Sequence, residues 1–175
     1  MCSALLAPAI RTERLRLRAP QAADAPRVAQ LCADPDIPRM TTRMPSPYRL
    51  ADAEYFVDAV AEQDRVRENT FLIEHDGEVV GCVGLFMRDR LPEIGYWIGR
   101  PYWGRGFATE ATKAALRWAR DDWRKKVIVA GHFADNPASG MVLTKVGFLY
   151  TGDVEMRHSL ARGEVAATRM MVWIA

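Results

Sequence analysis

Arg14 to Arg18 reads Arg-Leu-Arg-Leu-Arg. This strict alternation predicts a strand with Leu15 and Leu17 on its buried face, ended by Pro20. Asp24 is placed to cap a short helix with Val28, Leu31 and Cys32 on one side. Asp34 to Pro47 holds four prolines and two methionines and reads as a loop. Leu50 to Val66 reads as a second helix, with Phe56, Val57 and Val60 on its apolar face. Two β-rich runs follow, Thr70–Glu74 and Glu78–Phe86, and the Asp76-Gly77 between them is a hairpin signal. A further strand is predicted from about Glu93 to Gly99, then a helix from about Phe107 to Arg120 with Ala108, Ala111, Ala114 and Ala115 on its buried side. Val127–Ala130 reads as a buried strand, and Asn136–Val146 as a helix ended by Gly147. Phe148–Gly152 and Thr168–Ile174 complete the series. The order is β-α-α-β-β-β-α-β-α-β-β, an α+β domain built on a mixed sheet rather than a βαβ repeat or an all-β barrel.

Composition narrows the function classes. The chain has 175 residues, enough for one domain with its own core. Its net charge is +2, from 24 basic and 22 acidic residues, which gives no electrostatic footprint for nucleic acid. The basic run Arg124-Lys125-Lys126 is short enough to be a solvated turn. Cys2, Cys32 and Cys82 are few and widely spaced, as in a reduced, cytoplasmic setting. Cys82 lies in an apolar run as a small core residue. No apolar stretch reaches the roughly 18 residues of a membrane span. The opening MCSALLAPAI lacks the basic segment of a secretory leader.

The chemistry concentrates in Tyr102–Ala111, YWGRGFATEA. Gly104 and Gly106 allow backbone conformations and close approaches that a side chain would block. The helix that follows adds unpaired N–H groups and the positive end of its dipole. Strand, glycine turn and helix start together form a candidate pyrophosphate cradle, although the same pattern also serves a plain strand-to-helix turn. A P-loop is excluded because Phe107-Ala108 follows Gly106 in place of Lys-Ser/Thr. A dinucleotide fold is disfavoured because Thr109 is a poor third glycine and the preceding strand belongs to a hairpin series.

Two segments, EIGYWIGRPYWGRGFATEA and then NPASGMVLTKVGF, resemble the GNAT superfamily of acyl-CoA-dependent N-acetyltransferases, and within it the branch of the ribosomal-protein N-terminal acetyltransferases. The likeness runs over nearly the whole chain. It implies a single GNAT domain over residues 1–175, with a central, mostly antiparallel sheet of about seven strands flanked by about four helices. It also implies acetyl-CoA as cosubstrate, no metal, and an amine acceptor that is either a peptide N-terminus or a small molecule. Neither nucleic acid nor membrane is expected as a partner, and a homodimer is compatible with the family.

The family's phosphate-binding pattern falls on Trp103-Gly104-Arg105-Gly106-Phe107-Ala108. Trp103 replaces the usual Gln or Arg, so the phosphates would rest on the backbone amides of Gly104 to Thr109. Arg105 is either a charge contact or a solvated loop residue. The resemblance places a backbone oxyanion donor at Trp97 or Ile98, with the same main chain pairing the pantetheine arm. Glu93 corresponds to the water-mediated general base, and His132 is its rival because imidazole titrates near neutral pH. His75, beside a hairpin turn, reads as surface. Many relatives use a helix tyrosine as general acid, but the matching position here is Leu143. The branch motif Asn-x-x-Ser falls on Asn136 and Ser139: Asn136 as a pantetheine contact, Ser139 as thiolate donor, coenzyme contact or helix cap. Lys145 is a phosphate contact or a solvated lysine. Met40, Met44, Tyr48 and Phe86 are candidates for the acceptor pocket. Two other readings stay open: an acyl-CoA-binding regulator without catalysis, and an antibiotic- or herbicide-modifying acetyltransferase.

Overall fold

The computed structural model describes residues 9–175, so the leader reading and Cys2 lie outside the described residues. The strands are β1 (Ile10–Arg11), β2 (Arg16–Arg18), β3 (Glu68–His75), β4 (Glu78–Arg88), β5 (Leu91–Ile98), β6 (Val127–Phe133), β7 (Leu149–Ser159) and β8 (Glu164–Ile174). The α-helices are α1 (Ala25–Cys32), α2 (Asp36–Arg39), α3 (Leu50–Ala61), α4 (Phe107–Asp121) and α5 (Pro137–Lys145). One 8-stranded sheet runs β1-β2-β3-β4-β5-β6-β8-β7. Its neighbours pair antiparallel except β5 and β6, which are parallel because α4 forms the crossover between them.

Alternation along the central strands sorts side chains onto two buried faces. Phe71, Ile73, Val83, Leu85, Ile94 and Ile98 meet α4 and α5 on one side. Leu72 and Cys82 meet α1 and α3 on the other. Covered on both faces, β3 and β4 read as continuous apolar runs rather than alternating ones. Helix α4 buries Phe107, Ala111, Ala114, Ala115 and Leu116 against the sheet. Its alanines allow a close approach, and burying Phe107 contributes about 2 kcal/mol.

The Asp76-Gly77 hairpin forms as predicted, with both residues at positive φ (49° and 81°). Several expectations need correction. Asp24 precedes α1, but its side chain makes no cap bond. It accepts instead from Arg18 (2.8 and 2.9 Å) and from the Gln21 N–H (2.7 Å). Burial raises the Asp24 carboxyl, but these bonds outweigh it and hold it below the ordinary carboxylate range. The loop at Asp34–Pro47 contains the short helix α2. Helix α3 ends at Ala61 rather than Val66, which is 73% exposed and has no core to join. The last two strands are each 11 residues, because β7 and β8 extend together as a hairpin, and along its β7 arm burial alternates with polar Glu155, Arg157 and Ser159 inward and Val154 and Met156 exposed. Strand β1 and helix α2 carry the structure past the expected counts. Among the described residues no helix is long and apolar enough to cross a membrane.

Candidate active site

The glycine turn leads directly into α4. Beyond β5, the Gly99 N–H donates to the Val80 carbonyl (2.8 Å), and Arg100–Tyr102 make one 3-10 turn. Gly104 and Gly106 then take φ of +73° and +77°, in the left-handed region that favours glycine. Gly106 is the residue before α4, and no side chain caps the helix there. The first amides of α4, from Phe107, Ala108 and Thr109, therefore lack a side-chain acceptor and sit at the positive end of the helix dipole. A Cβ added at Gly104 would meet nothing within 4 Å, so the cradle is open at that point.

This turn is tied to the sheet edge. Arg14 donates to the Arg105 carbonyl (2.9 Å) and to Glu110 (2.7 Å), and Thr12 donates to Glu110 (2.6 Å). Burial raises the Glu110 carboxyl, but the bonds from Thr12 and Arg14 outweigh it and keep it below its usual range, hence ionised. The Arg105 guanidinium lies over the rings of Phe107 (4.7 Å) and Tyr102 (5.9 Å), and Arg100 lies over Trp103 (4.7 Å). His75 is drawn to this rim rather than left at the surface, since its ring bonds to the Arg14 carbonyl (3.1 Å) and approaches Arg105 (3.4 Å). Cations and bare N–H groups at one helix start form a donor set that fits a pyrophosphate.

Beside the cradle the sheet opens. Among the described residues β5 and β6 pair at one position, Glu93 opposite Val129. The Gly99–Val80 bond sets the alternation along β5: odd residues bond to β4, even residues turn their main chain toward β6. Trp97 therefore directs its backbone into the β4 ladder and does not offer it to the cleft, contrary to expectation. The main chains of Tyr96 and Ile98 face β6. The Ile98 carbonyl accepts from the Trp103 indole (2.6 Å), so Trp103, half-exposed, acts on this strand end.

Glu93, Gly95 and Trp97 line a cavity of about 750 Å³ on the α1/α3 side. The four acceptor-pocket candidates, Met40, Met44, Tyr48 and Phe86, line the same cavity. Its loop wall is held by the last hairpin: Ser159 donates to the Thr41 carbonyl (2.9 Å) and Arg162 to the Arg39 carbonyl (2.9 Å). Glu93 is 5% exposed. Arg157 from β7 donates to both its oxygens (2.5 and 3.2 Å), and Arg88 reaches it at 3.3 Å. Glu155 binds both arginines (2.9 Å each). Burial is the largest influence on Glu93 and pushes its carboxyl up to about 7, with the Arg88 charge opposing the rise. A carboxyl titrating there can exchange a proton near neutral pH.

Helix α5 supplies the polar residues on the other side of the sheet. The Asn136 side-chain oxygen accepts from the Ser139 N–H (3.2 Å), so Asn136 is the helix cap and Ser139 is not. The Ser139 hydroxyl lies 2.9 Å from the Tyr96 hydroxyl. Leu143 is 1% exposed in the core and offers no proton. His132 is also buried, but its ring bonds the Phe133 carbonyl (2.9 Å) and the Tyr150 hydroxyl (3.0 Å). It lines a separate cavity of about 390 Å³ with Lys145 and Arg169. With both nitrogens engaged and the ring outside the Glu93 cavity, His132 is displaced as a rival base. The two described cysteines, Cys32 and Cys82, are buried, and burial pushes the Cys82 thiol up to about 12, so neither is a nucleophile.

Two residues escaped the sequence reading. Nothing local marks Arg157, which meets Glu93 across 64 positions. Tyr96 did leave a trace, since period two places it with Ile94 and Ile98 on the face toward α4 and α5.

The fold and the sequence are shared with proteins of known family. The profile of the acetyltransferase (GNAT) domain matches residues 14–149, and the chain belongs to that family. An uncharacterized N-acetyltransferase p20 of Bacillus licheniformis is 27% identical over 146 residues, covering 81% of this chain and 82% of that protein. Among solved structures, the RimL ribosomal L7/L12 alpha-N-protein acetyltransferase in complex with coenzyme A superposes with a TM-score of 0.82 at 20% identity, covering 95% of this chain and 98% of that one. The spermidine N-acetyltransferase of Vibrio cholerae, in complex with coenzyme A and spermine, superposes with a TM-score of 0.77 at 20% identity, over 93% and 96%.

Proposed function

We propose that this protein transfers an acetyl group from acetyl-CoA to a primary amine by direct attack in a ternary complex. The observation that carries the reading is Glu93: a carboxyl pushed up to about 7, at the one position where β5 and β6 pair, on the wall of a cavity beside an open cradle. The amides of Gly104 to Thr109 hold the pyrophosphate, with Arg105 at its edge. The main chain of Ile98 and the Asn136 side-chain amide hold the pantetheine arm, and Ser139 faces its sulfur. The Ile98 N–H stabilises charge on the thioester oxygen. Glu93 accepts the acceptor's proton through water, because an amine of pKa roughly 8 to 10 is mostly charged at neutral pH. The N–C bond forms as the C–S bond breaks, and the electron pair leaves on sulfur.

The acceptor cavity carries Asp52, Glu68 and Glu93 but also Arg43 and Arg157, among aromatic and methionine side chains. That near-balance suits an amine bearing one positive charge, such as a peptide N-terminus, better than a polycation. The buried free thiols of Cys32 and Cys82 suit the cytoplasm. The exposed apolar side chains of the edge strand β7, including Val154 and Met156, suit pairing with a second copy, which light scattering would detect.

Thiol release from acetyl-CoA, measured over peptides, polyamines, aminoglycosides and amino acids with product masses checked, tests the reading. Acetylated peptide N-termini are expected. Coenzyme binding without turnover on any amine would replace it with the regulator reading.

A further inference from the structure

Tyr96 belongs to the strand and Ser139 to a helix, 43 positions on, yet they meet twice. The phenol oxygen lies 2.9 Å from the Ser139 hydroxyl and 3.0 Å from the Ser139 carbonyl. A phenol has one proton and two such neighbours, so two arrangements exist. In the first, Tyr96 donates to the carbonyl and accepts from the Ser139 O–H, which points the serine proton at the phenol. In the second, Tyr96 donates to the serine oxygen, which frees the serine proton to point elsewhere.

The first arrangement makes two hydrogen bonds and is favoured while nothing else accepts the serine proton. A negatively charged sulfur changes the order, since a bond to an ionised acceptor is about twice as strong as a neutral one. A serine oxygen that already accepts from a phenol is also a better donor, because bonds in series polarise one another. The first turn of α5, capped by Asn136, adds its positive end beside the pair. The helix cannot supply a phenol itself, because Leu143 occupies the core.

We propose that Tyr96 is a positioning residue that turns the Ser139 hydroxyl toward the departing coenzyme sulfur. The inference rests on the reading that Ser139 faces that sulfur. Ser139 donates a hydrogen bond to the thiolate as the C–S bond breaks. The thiolate later takes its proton from water, so no phenolate forms.

The test is a double-mutant cycle on acetyl transfer, with Tyr96→Phe, Ser139→Ala and both together, each checked by thermal unfolding. Tyr96→Phe is expected to lower kcat about tenfold, the scale of one hydrogen bond, with KM for acetyl-CoA changed less than about twofold. The double variant is expected to match Ser139→Ala alone. Normal kcat in Tyr96→Phe, with Ser139→Ala slow, would overturn the role of Tyr96 and leave Ser139 standing. Normal kcat in Ser139→Ala would remove the serine reading and this inference with it. Multiplicative losses in the double variant would show that Tyr96 acts without Ser139. 3-Fluorotyrosine at position 96 keeps the shape and sharpens the donor, so kcat should hold or rise. A loss as large as that in Tyr96→Phe would contradict the proposal.

Discussion

The cradle and the acceptor cavity sit on one sheet but are made in opposite ways. The cradle comes from a single contiguous stretch, Trp103 to Thr109, and works with backbone: two left-handed glycines and an uncapped helix start. The candidate acceptor cavity is assembled from α1, α3, the loop before α3, strands β3 to β6 and the last hairpin, and works with side chains. Such a cradle tolerates any side chain that points away from it, so Trp103 in place of the polar residue that the resemblance implies need not spoil it. The cavity has no such tolerance. Glu93 is buried, and its proton affinity depends on Arg88 at the end of β4 and on Arg157 and Glu155 of β7. In the proposed reaction, backbone fixes where the donor lies, and buried charge sets when the acceptor reacts.

Changes on the cavity side should alter turnover and its pH dependence and leave coenzyme affinity alone. Glu93→Gln has the largest expected effect, a fall in kcat of about 10²-fold, the usual worth of a positioned base. Steady-state kinetics at saturating acetyl-CoA reads it, and a normal rate would move the base role to solvent. In the wild type, activity should rise with pH through about 7 as Glu93 loses its proton, apart from the later rise of the amine itself. That lower rise should vanish in Glu93→Gln.

Arg157→Met should move the same rise upward by about one pH unit, because removing a cation beside a carboxylate favours its protonated form. A pH–rate profile checks the sign: a downward shift would mean that Arg157 does not stabilise the charged form. Trp103→Phe, on the cradle side, is the mildest change. It removes the donor to the Ile98 carbonyl and should alter KM for acetyl-CoA by about two- to threefold with kcat unchanged. A kcat loss there would show that the indole reaches into the chemistry.

The same contrast decides what could be read from sequence. The glycine turn, the Asp76-Gly77 hairpin and the alanine face of α4 are local devices, fixed by residues a few positions apart, and the sequence pattern located each of them. Glu93 was found as a residue, but its environment was not, because Arg157 meets it through a strand that turns polar residues inward and leaves apolar Val154 and Met156 exposed. His132 shows the reverse error. Its residue type suggested a base, while the fold spends both ring nitrogens on Phe133 and Tyr150. For Trp97 the strand was located and the parity was not, since which edge of β5 bonds to β4 depends on the register set at Gly99.

Calorimetric titration of acetyl-CoA into Gly106→Val and Glu93→Gln, side by side, tests the division of labour most directly. Valine at a φ of +77° is strained, so keeping its side chain there costs the turn its left-handed geometry. The account predicts that Gly106→Val, still folded by thermal unfolding, loses coenzyme affinity by about 10²-fold, while Glu93→Gln binds within about twofold of wild type and turns over slowly. Undiminished binding by Gly106→Val, or lost binding by Glu93→Gln, would contradict it.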